Sequence, residues 1–513
     1  MPKTIFGTSE KSNFILNLDL DRYRAFCVKM LLIAFWATAA SMGLNQLTYS
    51  VNGRLAEMAQ EGGFATVLAL VTIALRSIAT VFSICGVFVV ITMIVGIMRK
   101  QATKRTTATY CIVLASLLWA VYSMFHSFNI KTSLFGMDGR DEGWFALVMY
   151  GGFFFLGTML RRKENTEKLF GGLMIFGIVQ CAWGILQAQP FFEFPSEFRR
   201  VEPLMMQDLR LPTGLTDNPI TYAMLLGLML AVSIPAAVCS DEKKHRTLGT
   251  VCSGLSLLMV FKTHTVAGLI VGIAAVLFAL ILWAVKRKNI KGKAWLMPVV
   301  TIGAAALSVC WVCFSPSING SKMTSNDEPL SNGYALYDGG IVWDDSFYRL
   351  STSGPFNRHK DESLDINDPF SILGYCWSEG VRVIGLYPLD GTGPDNWRYT
   401  QLHVSMELME NENNIDRPYN DLLFIAATRG VISLVLHIIL LGTCLVMAWH
   451  RKKQHGSWYT LAACAAVIIY TLSSLVGISV LTVAPIFWAL LGTVAAEPLA
   501  EKVKKSKKQA KES

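Results

Sequence analysis

SIATVFSICGVFVVITMIVGIMRKQATKRTTATYCIVLASLLWAVYSMFH, residues 77–126, holds two apolar runs, 77–98 and 106–126, separated by Arg99-Lys100 and Lys104-Arg105. Each run is about twenty residues, the length that crosses ~30 Å of hydrocarbon as a helix. The cations between them are what a short cytoplasmic connection carries under the positive-inside rule. One such unit predicts a helical hairpin in a membrane. Repeated along a chain, it predicts a polytopic bundle.

The unit does repeat. Apolar spans are expected at 25–46, 77–98, 106–126, 143–160, 167–187, 218–239, 246–261, 265–285, 296–315, 420–447, 457–474 and 477–496. Connections leaving even-numbered spans are basic: Arg161-Arg162-Lys163, Lys243-Lys244 with Arg246, Lys286-Arg287-Lys288, and Arg451-Lys452-Lys453. Short connections leaving odd-numbered spans are poor in Lys and Arg. This alternation predicts an all-α integral membrane protein of about 12 transmembrane helices with both termini cytoplasmic, of the bacterial inner-membrane type. It divides the chain into 1–315 (nine spans), 316–419 (a large outer loop), 420–496 (three spans) and a Lys-rich tail, 497–513. The polar residues before Arg24 read as a cytoplasmic tail ahead of a retained first helix. Residues 64–98 are too long for one span, and 64–76, ending at Arg76, are expected to form an interfacial or re-entrant segment.

Composition agrees. Hydrophobic residues make up 52% and charged residues 16% of 513, where a soluble domain carries about a quarter charged. The net charge of +9 sits in connections between apolar runs, without interleaved aromatics, which argues against a nucleic-acid partner. Membrane lipids are the implied surroundings. The eleven cysteines lie mostly within apolar runs and read as small packing residues. Cys376 alone falls in the large loop, so no disulfide closes within that loop.

The loop 316–419 has a different character, with sixteen Asp and Glu against seven Lys and Arg. A structureless loop of that length is uncommon. Its patches Ile372–Tyr375 and Val381–Leu386 predict short helices packed on the bundle, capping an outer cavity.

Three segments carry candidate chemistry. Arg210-Leu-Pro-Thr-Gly214-Leu-Thr-Asp217-Asn218-Pro219 leads into the sixth span. Asn-Pro starts a helix, and helix amides beside an arginine suit an anion; on local chemistry alone, an ordinary capped helix with a loop arginine is the preferred reading. Lys262-Thr263-His264-Thr265 forms a turn before the eighth span, either a phosphate site or a pair of interfacial anchors. The end of the loop has a glycine turn, Pro388-Leu-Asp-Gly391-Thr-Gly393, then Arg417-Pro-Tyr419-Asn420 and a span containing Arg429-Gly430.

These segments, in this order, resemble the O-antigen ligase and polymerase superfamily of membrane glycosyltransferases. Arg210, Gly214, Asn218 and Pro219 match its sixth-span element; Pro388, Gly391 and Gly393 match its loop turn; Asn420 matches the asparagine that opens its tenth span. Two elements depart. Thr265-Val266 stand where the family has Ser-Arg, with Lys262 and His264 the nearby basic residues. Arg417 and Tyr419 stand where the family has histidines.

The resemblance implies glycan transfer from an undecaprenyl-pyrophosphate carrier to a hydroxyl acceptor such as lipid A-core, with no metal, nucleotide or other cofactor. In that reading Arg210, Lys262 and His264 bind the pyrophosphate. Arg417, with His403 as base or Glu407 in its place, carries the catalysis. Gly214, Asn218, Pro219, Gly391, Gly393 and Asn420 shape the site. A polysaccharide repeat-unit polymerase is the alternative within the family, and an oligosaccharyltransferase a third form. A secondary transporter or flippase is the rival class, although such proteins carry repeats and broken helices with charges near mid-membrane, which the sequence does not display. A membrane scaffold is the last alternative.

Overall fold

The computed structural model describes residues 19–55, 63–99, 104–137, 140–188, 199–202, 207–216, 218–263, 265–286, 303, 336–337, 340–341, 369–397, 399–400, 417–455 and 458–496. The described chain is almost wholly helical. Seven helices are long and apolar enough to cross a membrane by length and composition, and three shorter apolar helices, Trp144–Gly157, Trp458–Ser474 and Ala484–Ala495, accompany them.

In chain order the helices are α1 Leu20–Leu55, α2 Gly63–Cys85, α3 Val90–Met98, α4 Lys104–Phe125, α5 Ile130–Phe135, α6 Trp144–Gly157, α7 Lys163–Ala188, α8 Pro219–Cys239, α9 Lys243–Lys262, α10 Val266–Lys286, α11 Pro369–Leu386, α12 Asp421–His455, α13 Trp458–Ser474 and α14 Ala484–Ala495. Eleven of the twelve expected spans overlap a helix, and seven of those helices are long and apolar enough to cross a membrane. The remaining one, 296–315, lies outside the described residues except for Gly303. Two short antiparallel hairpins complete the picture: β1 Arg199–Glu202 with β2 Gln207–Arg210, and β3 Leu336–Tyr337 with β4 Gly340–Ile341.

The bundle is built around α8. Every residue from Pro219 to Val238 is buried, and α7, α9, α10 and α13 pack on it. A helix that is apolar on all sides can be satisfied only by full enclosure. Gly249 lets α9 come in close, since a Cβ there would stand 2.7 Å from Ser233 O and Ala237 N of α8. Small residues at helix crossings are the usual device where lipid removes any hydrophobic preference between helices. The outer helices show the opposite pattern. Ile273, Leu277, Ile281 and Val285 make an exposed apolar stripe along α10, and Leu70, Ile73, Val81 and Phe88 do so along α2 and its continuation. Such stripes suit a lipid environment.

Residues 63–98 differ from expectation. They form one continuous run in which 64–76 is no separate segment, and the irregularity falls ten residues after Arg76, as a 3₁₀ turn at Gly86–Val89. The cause is packing. Gly86 lies against the backbone of Gly152 in α6, and the Tyr23 hydroxyl donates to the Phe88 carbonyl at 3.0 Å.

Within 369–400, the two apolar patches expected as separate helices are parts of the single helix α11. It packs on α12, where Val383, Trp397, Phe424 and Ala427 share a small core.

Candidate functional site

α12 is broken near its start. Gly430 has φ 78° and ψ 164°, so Asp421–Arg429 and Val431–His455 are two helices joined by one left-handed residue. A break inside an apolar helix strands backbone groups that lipid cannot satisfy, and here the glycine turn supplies their partners. Thr392 N donates to Ala427 O at 3.0 Å and Gly393 N to Thr428 O at 2.8 Å; Val431 N donates to Pro388 O at 2.8 Å. From α4, Trp119 Nε1 donates to Arg429 O at 3.1 Å and Ser123 Oγ to Thr428 O at 3.0 Å. The turn residues Pro388, Gly391 and Gly393 therefore dock into the break at Gly430. The fit is close enough that a Cβ on Gly391 would collide with the backbone of Thr428, and one on Gly430 with the Leu389 carbonyl.

Beside this junction three segments converge on Arg417. Its guanidinium is ion-paired to Glu142 and to Asp395 (3.2 Å), and it donates to Ser479 O at 2.9 Å. It also lies 4.9 Å from the Phe424 ring centroid. Glu142 accepts from the Tyr150 hydroxyl at 2.7 Å. Asp395 accepts from the amides of Met137 at 2.8 Å and Glu142 at 3.3 Å. All three charged side chains are at most 4% exposed. Burial pushes the Asp395 carboxyl up to about 6, against the pull of Arg417 and with a further push from Glu142. Burial raises Glu142 as well, opposed by Arg417 and the Tyr150 hydroxyl. Each of these carboxylates thus accepts from the Arg417 guanidinium together with a phenol or backbone amides.

The backbone here is strained. Among the described residues, the non-glycine residues with positive φ are Asp141 (56°), Asp395 (56°) and Tyr419 (47°). Asp395 belongs to the cluster, Asp141 adjoins Glu142, and Tyr419 lies two residues from Arg417. Side chains forced into this region cost of order 1–3 kcal/mol each, and they concentrate at sites that require a fixed geometry.

Glu142, Asp395, Asp421, Arg429, Ser433 and His437 share in lining one cleft. Arg417, expected as a catalytic residue, is spent on its two carboxylates. Arg429 also lines the cleft, and the opposing charges that act on its guanidinium are Asp421 and Glu142. It stands eight residues into α12, about 12 Å along the axis. An arginine at that depth is tolerated where it faces a cavity or pathway.

The second expected element lies at the same end of the bundle. Asn218 caps α8, its side chain accepting from Ile220 N at 2.7 Å and Thr221 N at 3.4 Å, with Pro219 in the first turn. Those amides are therefore taken, and the ordinary capped helix is what forms. Gly214 has φ +58°, and a Cβ there would strike the Tyr222 ring. Gln187 holds the approach by accepting from Thr213 N and Gly214 N at 3.0 and 2.9 Å. Arg210 pairs with Arg199 in the β1–β2 hairpin. Lys262 ends α9 and is 3% exposed. Gly477, two residues from Ser479, lies against Met224 of α8, which joins this element to the Arg417 cluster. Asn420 starts α12, accepting from Leu423 N at 3.1 Å. His264, His403 and Glu407 lie outside the described residues.

Sequence reading missed Glu142, Asp395 and Tyr150, which nothing in the local pattern marks. Arg429 was visible as a charge inside an apolar run. No family model matches the chain, and no curated protein sequence matches it.

Proposed function

We propose that this protein is a multi-pass membrane glycosyltransferase that moves a glycan from undecaprenyl-pyrophosphate to a hydroxyl acceptor at the outer face of the inner membrane. An O-antigen ligase acting on lipid A-core is the form we place first, and a repeat-unit polymerase is its alternative. The observation that carries this reading is one cleft lined both by Arg429, a cation set among Asp421 and Glu142, and by Asp395, a carboxylate raised to about 6.

The chemistry needs those two groups. The acceptor hydroxyl loses its proton to the Asp395 carboxylate, which is mostly ionised at pH 7. The acceptor oxygen attacks the anomeric carbon, and the bond from that carbon to the pyrophosphate oxygen breaks. The electron pair leaves with undecaprenyl-pyrophosphate, whose negative charge faces the Arg429 guanidinium. Arg417 acts as a positioning residue, holding Glu142 and Asp395 in place. Lys262 and Arg210, at the same end of the bundle, add positive charge for the carrier.

The basic connections at Arg99, Arg161, Lys243 and Arg451 support cytoplasmic termini, which puts the turn, the break and the cleft at the outer face. A secondary transporter is the second reading. It is favoured by one observation, the break at Gly430 with Asp421, Arg429 and His437 on the same membrane-length helix.

A gel profile of surface glycan from a strain lacking the gene tests the proposal. Loss of capped lipid A-core with long polymer retained on the carrier is the expected result. Lipid A-core bearing one repeat unit would indicate the polymerase, and an unchanged profile would overturn glycan transfer to this acceptor.

A further inference from the structure

We propose that Glu167, Glu242 and His245 bind a divalent transition-metal ion at the end of the bundle opposite the cleft. Glu167 sits in the first turns of α7, Glu242 caps α9, and His245 lies in the first turn of α9. Glu167 and Gln187 are twenty residues apart on one helix, about 30 Å, so this site is remote from the Gly214 approach.

The donor atoms of the three side chains all lie within 4.8 Å of one another. An ion held at ~2.0–2.2 Å by each donor requires the donors to draw closer together, and Glu242, whose side chain is 51% exposed, has room to rotate. His245 is the second, independent pointer. Its side chain is nine-tenths buried, and Nδ1 has no hydrogen-bond partner even though Glu242 Oε2 is 3.1 Å away. A buried ring nitrogen without a partner is costly, and a metal bond would satisfy it. The ring is held beside Trp458, with centroids 6.0 Å apart.

Outer partners are in place. The Tyr459 hydroxyl donates to Glu167 Oε1, leaving Oε2 for a ligand, the kind of support that orients a ligating carboxylate. Lys163 Nζ, 3.5 Å from Glu167 and largely exposed, occupies the position of a counter-cation. Two carboxylates with one imidazole favour Zn²⁺ or Mn²⁺ over Ca²⁺ or Mg²⁺. The bound ion would tie α7 to α9, and through Tyr459 to α13, giving a structural clamp.

The test is calorimetric titration of the tag-free full chain in detergent with Zn²⁺, using Mg²⁺ as the control. One Zn²⁺ per chain is expected. Binding should weaken at least tenfold in Glu242→Gln and His245→Ala, and about tenfold in Tyr459→Phe, while Lys163→Ala binds at least as tightly as wild type. Melting temperature is the second readout, rising with Zn²⁺ in the wild type and not in Glu242→Gln, an exposed change that leaves the fold alone. Absence of saturable binding at tenth-millimolar Zn²⁺, or equal binding by wild type and Glu242→Gln, would overturn the site.

Discussion

Replacing Arg417 by Met leaves Glu142 and Asp395 buried with no counter-ion, and the size of the loss follows from their surroundings. Both carboxylate side chains are 4% exposed and the guanidinium 2%, so water cannot take over the missing bonds. Removing one partner of a buried pair costs about 3–5 kcal/mol. At about 2.1 cal/mol/K of unfolding entropy per residue, a chain of 513 residues shifts by ~1 °C per kcal/mol, so the melting temperature falls by ~3–5 °C. The penalty comes from stranded charge, so neutralising the stranded groups returns stability. Arg417→Met combined with Glu142→Gln and Asp395→Asn should recover at least half of the loss. Glu142→Gln alone should cost little, because Arg417 keeps Asp395 and the cluster sheds its excess negative charge. The assay is thermal unfolding of the detergent-purified protein for the wild type and these variants. A single variant within 2 °C of wild type, or a triple variant no more stable than Arg417→Met, would refute the electrostatic account of this cluster.

Asp395→Asn should lower turnover ~10²–10⁴-fold. In the wild type, activity rises with pH through about 6 as Asp395 ionises, measured as initial rates from pH 4.5 to 8. The same raised carboxyl contributes stability that is complete below its ordinary range near 4 and is lost as pH rises through about 6. Activity and stability therefore move oppositely over that window, and coincident profiles would count against Asp395 as the base. Gly430→Ala places a Cβ into the Leu389 carbonyl at φ 78° and should cost about 1–3 kcal/mol together with activity, both read on the purified protein. Asn218→Ala removes the α8 cap and should cost ~1 kcal/mol, seen as a melting shift of about 1 °C.

Much of the fold is legible in the sequence because its signals are local. An apolar run of twenty residues and a basic connection each declare themselves without reference to the rest of the chain, and seven of the expected spans fall on helices long and apolar enough to cross a membrane. The 3₁₀ turn at Gly86–Val89 escapes such reading because its cause is Gly152, sixty-six residues away. The site is less legible for the same reason. Glu142 and Arg417 are separated by 275 positions, and no periodicity links them. Asp395 sits in a polar loop where a carboxylate attracts no notice. The glycine turn and Gly430 are each visible, but a glycine in an apolar run reads first as a packing residue. Only the hydrogen bonds from Thr392 and Gly393 to Ala427 and Thr428 disclose that one fills the gap in the other.

The central claim is tested most directly by reconstituting the purified chain in liposomes with an undecaprenyl-pyrophosphate-linked glycan and a lipid A-core acceptor, then measuring glycan transferred to the acceptor. The account predicts acceptor-dependent product, reduced ~10²–10³-fold by Arg429→Ala with a melting temperature close to wild type. No transfer, accompanied by Arg429-dependent passage of the lipid-linked glycan across the bilayer, would contradict it and make this protein a transporter.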